Sequence, residues 1–360
     1  MTVHYFNPDH DLALASGKPH YTATPRAEQL RLDLQLLPCW YASPGDAVLC
    51  DAASQQEWCD AQGLEVKVID RHALSSLPPG TVIRPWGWNA ALCWRLTRWG
   101  THPDLIPGTE QIGHWRQLSH RRITIAIHHR LRQLTGIEHC PIPTEITTLD
   151  SAVAFAERHP GCYLKAPWSG SGRGILRALD PHRTDFLQRA AGMLRDQGSV
   201  LCEPALDRVL DFAVEMHSNG GSTVITGYSV FESDFHSQYA CGIVAPRDDL
   251  RQKIETLLPA FPVVESALAA TMNELVAPFY TGPLGVDMLL YRGEDGDIGI
   301  NPCVELNLRC TMGHVTAALA DRHGLRGRYS IKAVGALTPD DRTLTPIGDA
   351  TRFAAILTAT

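Results

Sequence analysis

The sequence lacks several features that would place it quickly in a class. Its ten cysteines are scattered and never form a CxxC pair, which argues against a zinc site or a disulfide framework and favours small core residues in a reducing compartment. The chain does not start with a cationic segment and an apolar run, as a signal peptide would. No stretch approaches the roughly 20 apolar residues that cross a bilayer. The net charge of -7 argues against a nucleic-acid-binding protein. We therefore expect a soluble, cytoplasmic protein with no membrane and no nucleic-acid partner.

The composition is that of a folded protein with more than one core. Hydrophobic residues make up 44% of the 360 residues and charged residues 20%, so long disorder is not expected and two or three packed units are. Strand candidates alternate with helix candidates over residues 1–115, which predicts a mainly parallel sheet there.

Three oxygen-bearing side chains occur near each other in the last third of the chain. Glu305 and Asn307 are two residues apart, so on a strand both side chains leave the same face, and Arg309 follows with the same spacing. Leu284–Leu290 predicts a second strand, which would bring Asp287 opposite this pair across a hairpin. Two carboxylates, an amide oxygen and a guanidinium on one sheet face suit a site for Mg²⁺ and phosphate. A solvated polar face would explain these residues singly but not as a set.

A lysine and a glycine-rich loop occur together in the middle of the chain. Lys165 lies on a strand candidate over Cys162–Pro167, and the segment Ser169–Gly174 follows it. Alternate glycines let a backbone bend tightly and present N–H groups to phosphate, and the lysine adds a positive charge. The lysine precedes the glycines, unlike in a Walker A loop, and the acidic partner of a dinucleotide fingerprint is missing. Because a strand candidate returns at Ile175–Leu179, we predict that the loop caps a hairpin.

Two polar turns follow strand candidates in the first 115 residues. In open α/β sheets the ligand crevice lies at the carboxyl ends of strands, so these turns are candidates for contacting a second substrate. The alternative is structural, with Asp11 as a helix cap and Trp86 and Trp88 in packing. A metal site that includes His4 is less favoured. The candidate substrate residues are Asn7, Asp9, His10, Asp11, Arg84 and Asn89.

The order of the parts over residues 119–315 resembles the ATP-grasp superfamily of ATP-dependent ligases. The resemblance rests on several motifs together, and it identifies no subfamily. The motifs are a basic helix predicted over Ser119–Thr135, the segment Gly136–Pro143 (GIEHCPIP), Lys165 with its glycine-rich loop, a hinge strand at Val200–Glu203, and Gly285–Asp287 with Glu305–Arg309.

The resemblance implies an α/β fold that is α+β in its catalytic part. An N-terminal parallel α/β domain at 1–115 would precede two α+β lobes at 116–200 and 201–335, with ATP between the lobes and a C-terminal extension at 336–360. The implied cofactors are ATP and Mg²⁺, with Mn²⁺ as an alternative metal. The implied ATP contacts are Lys165 and Arg122 (or its neighbour Arg121) on the phosphates, Gly170, Ser171, Gly172 and Gly174 over them, Glu203 and Ala205 at adenine, and Asp211 at the ribose. Asp287, Glu305 and Asn307 would hold the metal.

The implied reaction is a two-step ligation. A carboxylate of a small molecule or peptide would become an acyl phosphate at the expense of ATP, and an amine, or less often a thiol, would displace phosphate. Arg309 would stabilise the oxyanions, and His314 is a candidate for the acceptor pocket. Two alternatives remain open at this point: a kinase-like phosphotransferase and a non-catalytic nucleotide-binding regulator. The sequence does not name the substrates and leaves a homo-oligomer open.

Overall fold

The computed structural model describes residues 1–51, 55–138, 140–170, 174–234 and 239–359. Its contacts divide the chain into two compact units. The first unit contains Met1–Arg116, Ala240–Arg247 and Arg309–Thr360, and the second contains Gln117–Tyr239 and Asp248–Leu308. The finer division predicted at residues 115, 200 and 335 stays a prediction.

The N-terminal part of the first unit is a parallel sheet with helices. Its strands are β1 (Thr2–Tyr5), β2 (Ala47–Leu49), β3 (Lys67–Ile69) and β4 (Val82–Pro85), in the order β3-β2-β1-β4. The helices are α1 (His10–Ser16), α2 (Pro25–Asp33), α3 (Gln56–Ala61), α4 (Ala90–Arg98) and α5 (Thr109–Leu118). Val3, Tyr5 and Ile83 pack with Leu92 and Leu96 of α4 in one core cluster. The prediction of a parallel sheet is confirmed.

The remainder of the first unit is antiparallel. Strands β11 (Tyr239–Val244), β14 (Gly327–Ala333), β15 (Asp341–Thr343) and β16 (Phe353–Thr358) pair in the order β11-β14-β16-β15. Helix α11 (Met312–Asp321) precedes β14. The Asp33 carboxylate at the end of α2 accepts from the backbone N–H groups of Arg352 and Phe353, so the C-terminal segment is tied to the N-terminal part of this unit.

The second unit contains an antiparallel sheet that carries the glycine-rich loop. Strands β5 (Thr144–Ile146), β6 (Tyr163–Lys165), β7 (Ile175–Arg177) and β8 (Val200–Glu203) lie in the order β5-β8-β6-β7. Helices α7 (Leu149–Arg158) and α8 (Thr184–Gln197) bury Phe155, Phe186 and Ala190 against this sheet. Because β6 and β7 are antiparallel neighbours, the prediction that the loop caps a hairpin is confirmed.

A second antiparallel sheet of this unit carries the acidic residues. Its strands are β9 (Asp207–Asn219), β10 (Thr223–Ser233), β12 (Thr281–Arg292) and β13 (Ile298–Asn307), in the order β13-β12-β9-β10. Helices α6 (Ile123–Thr135), α9 (Arg247–Leu257) and α10 (Phe261–Leu275) accompany it, and α6 contacts both β13 and α10. The β12–β13 hairpin is the one that the sequence predicts. The mixed α/β class is confirmed.

No single helix in the described ranges is long and apolar enough to cross a membrane. The pair α9 and α10 passes the length and composition test only when taken together, and it is bent by 115°.

Candidate functional site

The β12–β13 hairpin places three oxygen-bearing side chains on one face. Asp287 lies directly opposite Glu305, and Gly285 lies opposite Asn307. Residues that face each other across an antiparallel pair project to the same side of the sheet. Asn307 Nδ2 donates to Asp287 Oδ2 at 3.1 Å, which leaves the Asn307 carbonyl oxygen for another partner. The register shifts immediately after Asp287, an irregularity of the kind that often re-aims side chains beside active sites.

These residues fit a magnesium ion by the chemistry of their donors. Mg²⁺ binds oxygen, needs only a few protein ligands, and completes its octahedral shell with phosphate and water. Asp287 and Glu305 supply carboxylates and Asn307 supplies an amide oxygen. The described ranges contain no group of three or more His, Cys, Asp or Glu side chains that could hold a metal, so this site rests on two carboxylates and an amide oxygen.

Arg121 connects this acidic face to the strand that carries Lys165. Its side chain is buried, with the residue only 5% exposed. Nη2 donates to Glu305 Oε1 at 2.6 Å, and Nη1 donates to the Ala166 carbonyl at 2.7 Å and to Ser169 Oγ at 3.0 Å. Nε is buried without a hydrogen-bond partner among the residues that the structure describes. A buried donor without an acceptor is costly, so this guanidinium can take up an anionic ligand.

Arg122, the neighbour to which the sequence assigns a phosphate contact, lies elsewhere. Its side chain is 50% exposed, its Nη2 donates to Gln117 at 3.1 Å, and its Nη1 lies 3.9 Å from Glu145. The predicted helix over Ser119–Thr135 is wrong at its start, because α6 begins at Ile123. Residues 120–122 form a turn, in which the backbone N–H of Arg121 donates to the Pro167 carbonyl at 3.0 Å. This turn, and not a helical face, directs Arg121 inward.

Lys165 ends β6 and forms a buried ion pair with Glu203, which ends β8. Tyr163 is the residue opposite Glu203, so Lys165, two residues further on, shares that face. Burial and, to a smaller extent, the positive charge of Arg121 lower the pKa of the Lys165 ammonium, Glu305 acts in the opposite direction, and the net result is a pKa of about 7. Two buried cations, each beside a carboxylate, therefore occupy one part of the second unit.

The predicted adenine and ribose contacts follow β8. Glu203 is paired with Lys165, and Ala205 is exposed in the connection to β9. Asp211 lies on β9, where its Oδ1 is 3.1 Å from Arg208 Nη2. Burial raises the pKa of the Asp211 carboxyl, and Arg208 acts against that shift. Sequence reasoning missed Arg208, because residues three apart on a regular strand face opposite sides, and the register shift beside Arg208 is visible only in the structure.

The structure describes the first and last residues of the glycine-rich loop. Gly170 is half-buried, whereas the predicted lid residues Ser171 and Gly172 lie outside the described residues. Gly174 has a φ of +78°, and a Cβ there would lie 2.8 Å from the Ser169 Cβ. This position therefore requires glycine both for its backbone conformation and for space.

In the first unit, the two polar turns meet at the carboxyl ends of β1 and β4. Asn7 Nδ2 donates to the Gly87 carbonyl at 2.9 Å, and its Oδ1 accepts from the Gly87 N–H at 3.3 Å. His10 Nδ1 lies 3.2 Å from Asn89 Nδ2, and burial lowers the pKa of His10 to about 4. Asn89 Oδ1 caps α4 by accepting from the Leu92 N–H at 2.9 Å. Asn7, His10 and Asn89 thus hold the two turns together.

The remaining predicted residues have defined places. Arg309 Nε and Nη2 donate to the two carboxylate oxygens of Asp11 at 3.0 and 3.1 Å. Because β13 ends at Asn307, the expectation that Arg309 continues the face of that strand does not hold. His314 Nδ1 accepts from the Thr311 N–H at 3.2 Å and completes a capping box at the start of α11, which is a structural role. Arg84 is half-buried on β4, and its charge helps to lower the pKa of His4.

No protein-family model and no curated protein matches this sequence. Solved structures do match. N5-carboxyaminoimidazole synthetase from Staphylococcus aureus, complexed with ADP, is 12% identical and aligns over 100% of this chain and 93% of its own, with a TM-score of 0.51. The biotin carboxylase–β,γ-ATP complex from Campylobacter jejuni is 12% identical and aligns over 99% of this chain and 87% of its own, with a TM-score of 0.50. The chain has the ATP-grasp fold.

Proposed function

We propose that this protein is an ATP-dependent ligase that joins a carboxylate to an amine through an acyl phosphate and releases ADP and phosphate. The observation that carries the proposal is the contact between Arg121 and Glu305. It brings a buried cation, whose Nε has no partner in the described part of the chain, to the acidic face of Asp287, Glu305 and Asn307. That the two aligned proteins were solved with adenine nucleotides supports the same proposal.

The cations would exchange partners when nucleotide binds. Lys165 and Arg121 now neutralise Glu203 and Glu305, and both can turn to phosphate oxygens. Glu203 would then accept from the adenine amino group, and Glu305 would join Asp287 and Asn307 around Mg²⁺. The metal would neutralise charge on the phosphoryl group during its transfer. Because each carboxylate gains a new cation or donor as it loses the old one, no buried charge is left uncompensated.

The chemistry then follows two displacements. The substrate carboxylate oxygen attacks the γ-phosphorus, the bond to the bridging oxygen breaks, and ADP leaves. The neutral amine attacks the carbonyl carbon of the acyl phosphate, a C–N bond forms, and phosphate leaves with the electron pair of the broken C–O bond. The nitrogen loses one proton, which the leaving phosphate takes up. The protein would position these groups and stabilise charge. Arg309, whose guanidinium is held by Asp11, is the residue proposed to stabilise the oxyanions.

The test is release of ADP and phosphate from Mg·ATP in the presence of pooled amino acids, small peptides and other carboxylates. Release should require a particular pool and should vanish in Lys165→Ala and Glu305→Ala. Mass spectrometry of that pool should reveal an amide. A stable phosphorylated product would instead show a phosphotransferase. Tight ATP binding without turnover in any pool would contradict the ligase proposal and favour a regulator.

Substitution of the two neighbouring arginines should have different effects. We expect Arg121→Ala to raise the KM for ATP by about 10- to 100-fold, because a buried charge-assisted contact to phosphate is lost. Arg122→Ala should change the KM by about twofold or less, since it removes only half-exposed contacts. Steady-state kinetics with varied Mg·ATP measures both. Equal effects would show that the turn does not select between the two residues.

A further inference from the structure

Asp9 differs from the other polar residues of its turn. Asn7 and His10 are bonded to the turn after β4, and Asp11 is paired with Arg309. Asp9 is only 5% exposed, yet across the described ranges its carboxylate forms no ion pair and has no hydrogen-bond partner except its own backbone N–H. It stands at the N-cap position of α1 without making a side-chain capping bond. The usual structural reason for an aspartate at this position is therefore missing.

The isolation of this carboxylate has a cost in the free protein. Burial raises the pKa of Asp9, and the positive charge of Arg95 is the largest influence in the other direction. Arg31 also lowers the pKa, but its guanidinium is already paired with Glu28 and Asp51. A buried carboxylate without a counter-ion destabilises a fold, and such groups are characteristic of binding sites, where a ligand supplies the missing charge.

Arg95 is the complementary cation. Its Nη1 donates to the Tyr5 hydroxyl at 3.1 Å and its guanidinium lies 5.9 Å from the centroid of the Trp99 ring. Among the described residues it has no carboxylate within salt-bridge distance. Tyr5 ends β1, four residues before Asp9, and α4, which carries Arg95, contacts α1. A carboxylate and a guanidinium, neither with an ionic partner in the described part of the chain, therefore stand at the same end of one parallel sheet.

We propose that Asp9 and Arg95 bind a small zwitterion of the α-amino acid class, with its ammonium on Asp9 and its carboxylate on Arg95. A metal cation would compensate Asp9 and leave Arg95 without an anion, and a simple anion would leave Asp9 uncompensated. A ligand with both charges would form an ion pair with each residue and would add no net charge to a buried site. This inference rests on the proposed ligase in one respect only, since the zwitterion would be the amine substrate of that reaction.

The first test is binding in the absence of ATP. Ligand-observed NMR and calorimetry would compare pools of α-amino acids, of the corresponding decarboxylated amines and of the corresponding α-hydroxy acids. At least one amino acid should bind the wild-type protein, with its two analogues weaker by about 10-fold or more, as expected for loss of a charged hydrogen bond. Asp9→Asn and Arg95→Gln should each weaken amino acid binding by a similar factor. Asp104→Asn, the same substitution at a side chain that is 87% exposed, is the matched control.

A second measurement separates binding from a structural role. Asp9→Asn removes an unpaired buried charge, so the variant should unfold at a higher temperature than the wild type while binding amino acids more weakly. A lower unfolding temperature would show that Asp9 stabilises the fold, and would overturn the proposal. Absence of amino acid binding at about 10 mM, a concentration that detects even weak sites, would also overturn it, as would equal binding of the decarboxylated amines.

Failure of this inference and failure of the ligase proposal give different results. Amino acid binding that depends on Asp9 and Arg95, without ATP turnover in any pool, supports the zwitterion site and contradicts the ligase. Turnover that requires an amine without a carboxylate supports the ligase and contradicts the zwitterion site. If both hold, Asp9→Asn should raise the KM for the amino acid and leave the KM for ATP unchanged.

Discussion

Glu305→Gln should reduce Mg·ATP-dependent turnover by about 1,000-fold or more, because the loss of a metal-binding carboxylate removes several kcal/mol of charge stabilisation. Glutamine preserves the size and shape of the side chain, so the change tests charge alone. The Mg²⁺ concentration for half-maximal activity should rise as well. ADP release at saturating ATP, with Mg²⁺ varied, measures both effects.

Glu274→Gln is the control for this substitution. Glu274 is also paired with an arginine, since its Oε2 accepts from Arg130 Nε at 2.8 Å, but its side chain is 52% exposed. Loss of an exposed pair costs about 0.5 kcal/mol of stability and should leave turnover unchanged. Thermal unfolding of both variants should be measured first, because Glu305→Gln also leaves the buried Arg121 without its anion. If the Glu305→Gln protein is folded and its turnover is within tenfold of wild type, Glu305 is not a metal ligand.

The affinity for ATP should fall as the pH rises above about 7. Burial lowers the pKa of Lys165 from 10.5 to about 7, so the free protein loses the ammonium charge across the physiological range. We expect the KM for ATP to rise by up to about 50-fold between about pH 7 and about pH 9, since the charged fraction of Lys165 falls from about one half to about one hundredth. Lys165→Arg keeps its charge over this range and should give a flat profile. A rising profile in both proteins would assign the titration to another group.

The same shift predicts how stability depends on pH. Between about pH 7 and pH 10.5 the unfolded chain holds the Lys165 proton and the folded protein does not. Because the unfolded state then binds more protons, the free energy of unfolding should rise with pH through this window. Lys165→Met should remove that rise. Urea unfolding at several pH values measures the slope. A wild-type slope equal to that of the methionine variant would show that folding does not lower the pKa of Lys165.

Much of the candidate site was predictable because it depends on local patterns. The two-residue spacing of Glu305 and Asn307 places both side chains on one face of any strand that contains them. The strand candidate at Leu284–Leu290 then predicts the hairpin, and the structure confirms it with Asp287 opposite Glu305. Lys165 before a glycine-rich turn and a returning strand likewise predicts the β6–β7 hairpin. The alternation of apolar and polar residues and the preferences of turn residues act over a few neighbouring positions. They can therefore be recognised directly in a sequence.

The choice between Arg121 and Arg122 could not be made in that way. Both are arginines in the same basic segment, and the sequence does not show which of the two side chains faces the interior. The turn that precedes α6, tied by the Arg121 N–H to the Pro167 carbonyl, rotates one side chain inward and the next one outward. The conformation of this turn, which is bonded to a residue far along the chain, therefore decides which arginine contacts Glu305.

The sequence by itself determined the class of fold, the order of its parts and the two hairpins that carry Lys165 and the acidic residues. Only the tertiary structure decided which charges are paired, such as Arg309 with Asp11, and which are left without an ionic partner, such as Asp9 among the described residues. The reason is physical. Hydrophobic alternation and turn propensity are properties of neighbouring residues, whereas the pairing and burial of a charge depend on side chains that only the packed chain brings within a few ångströms.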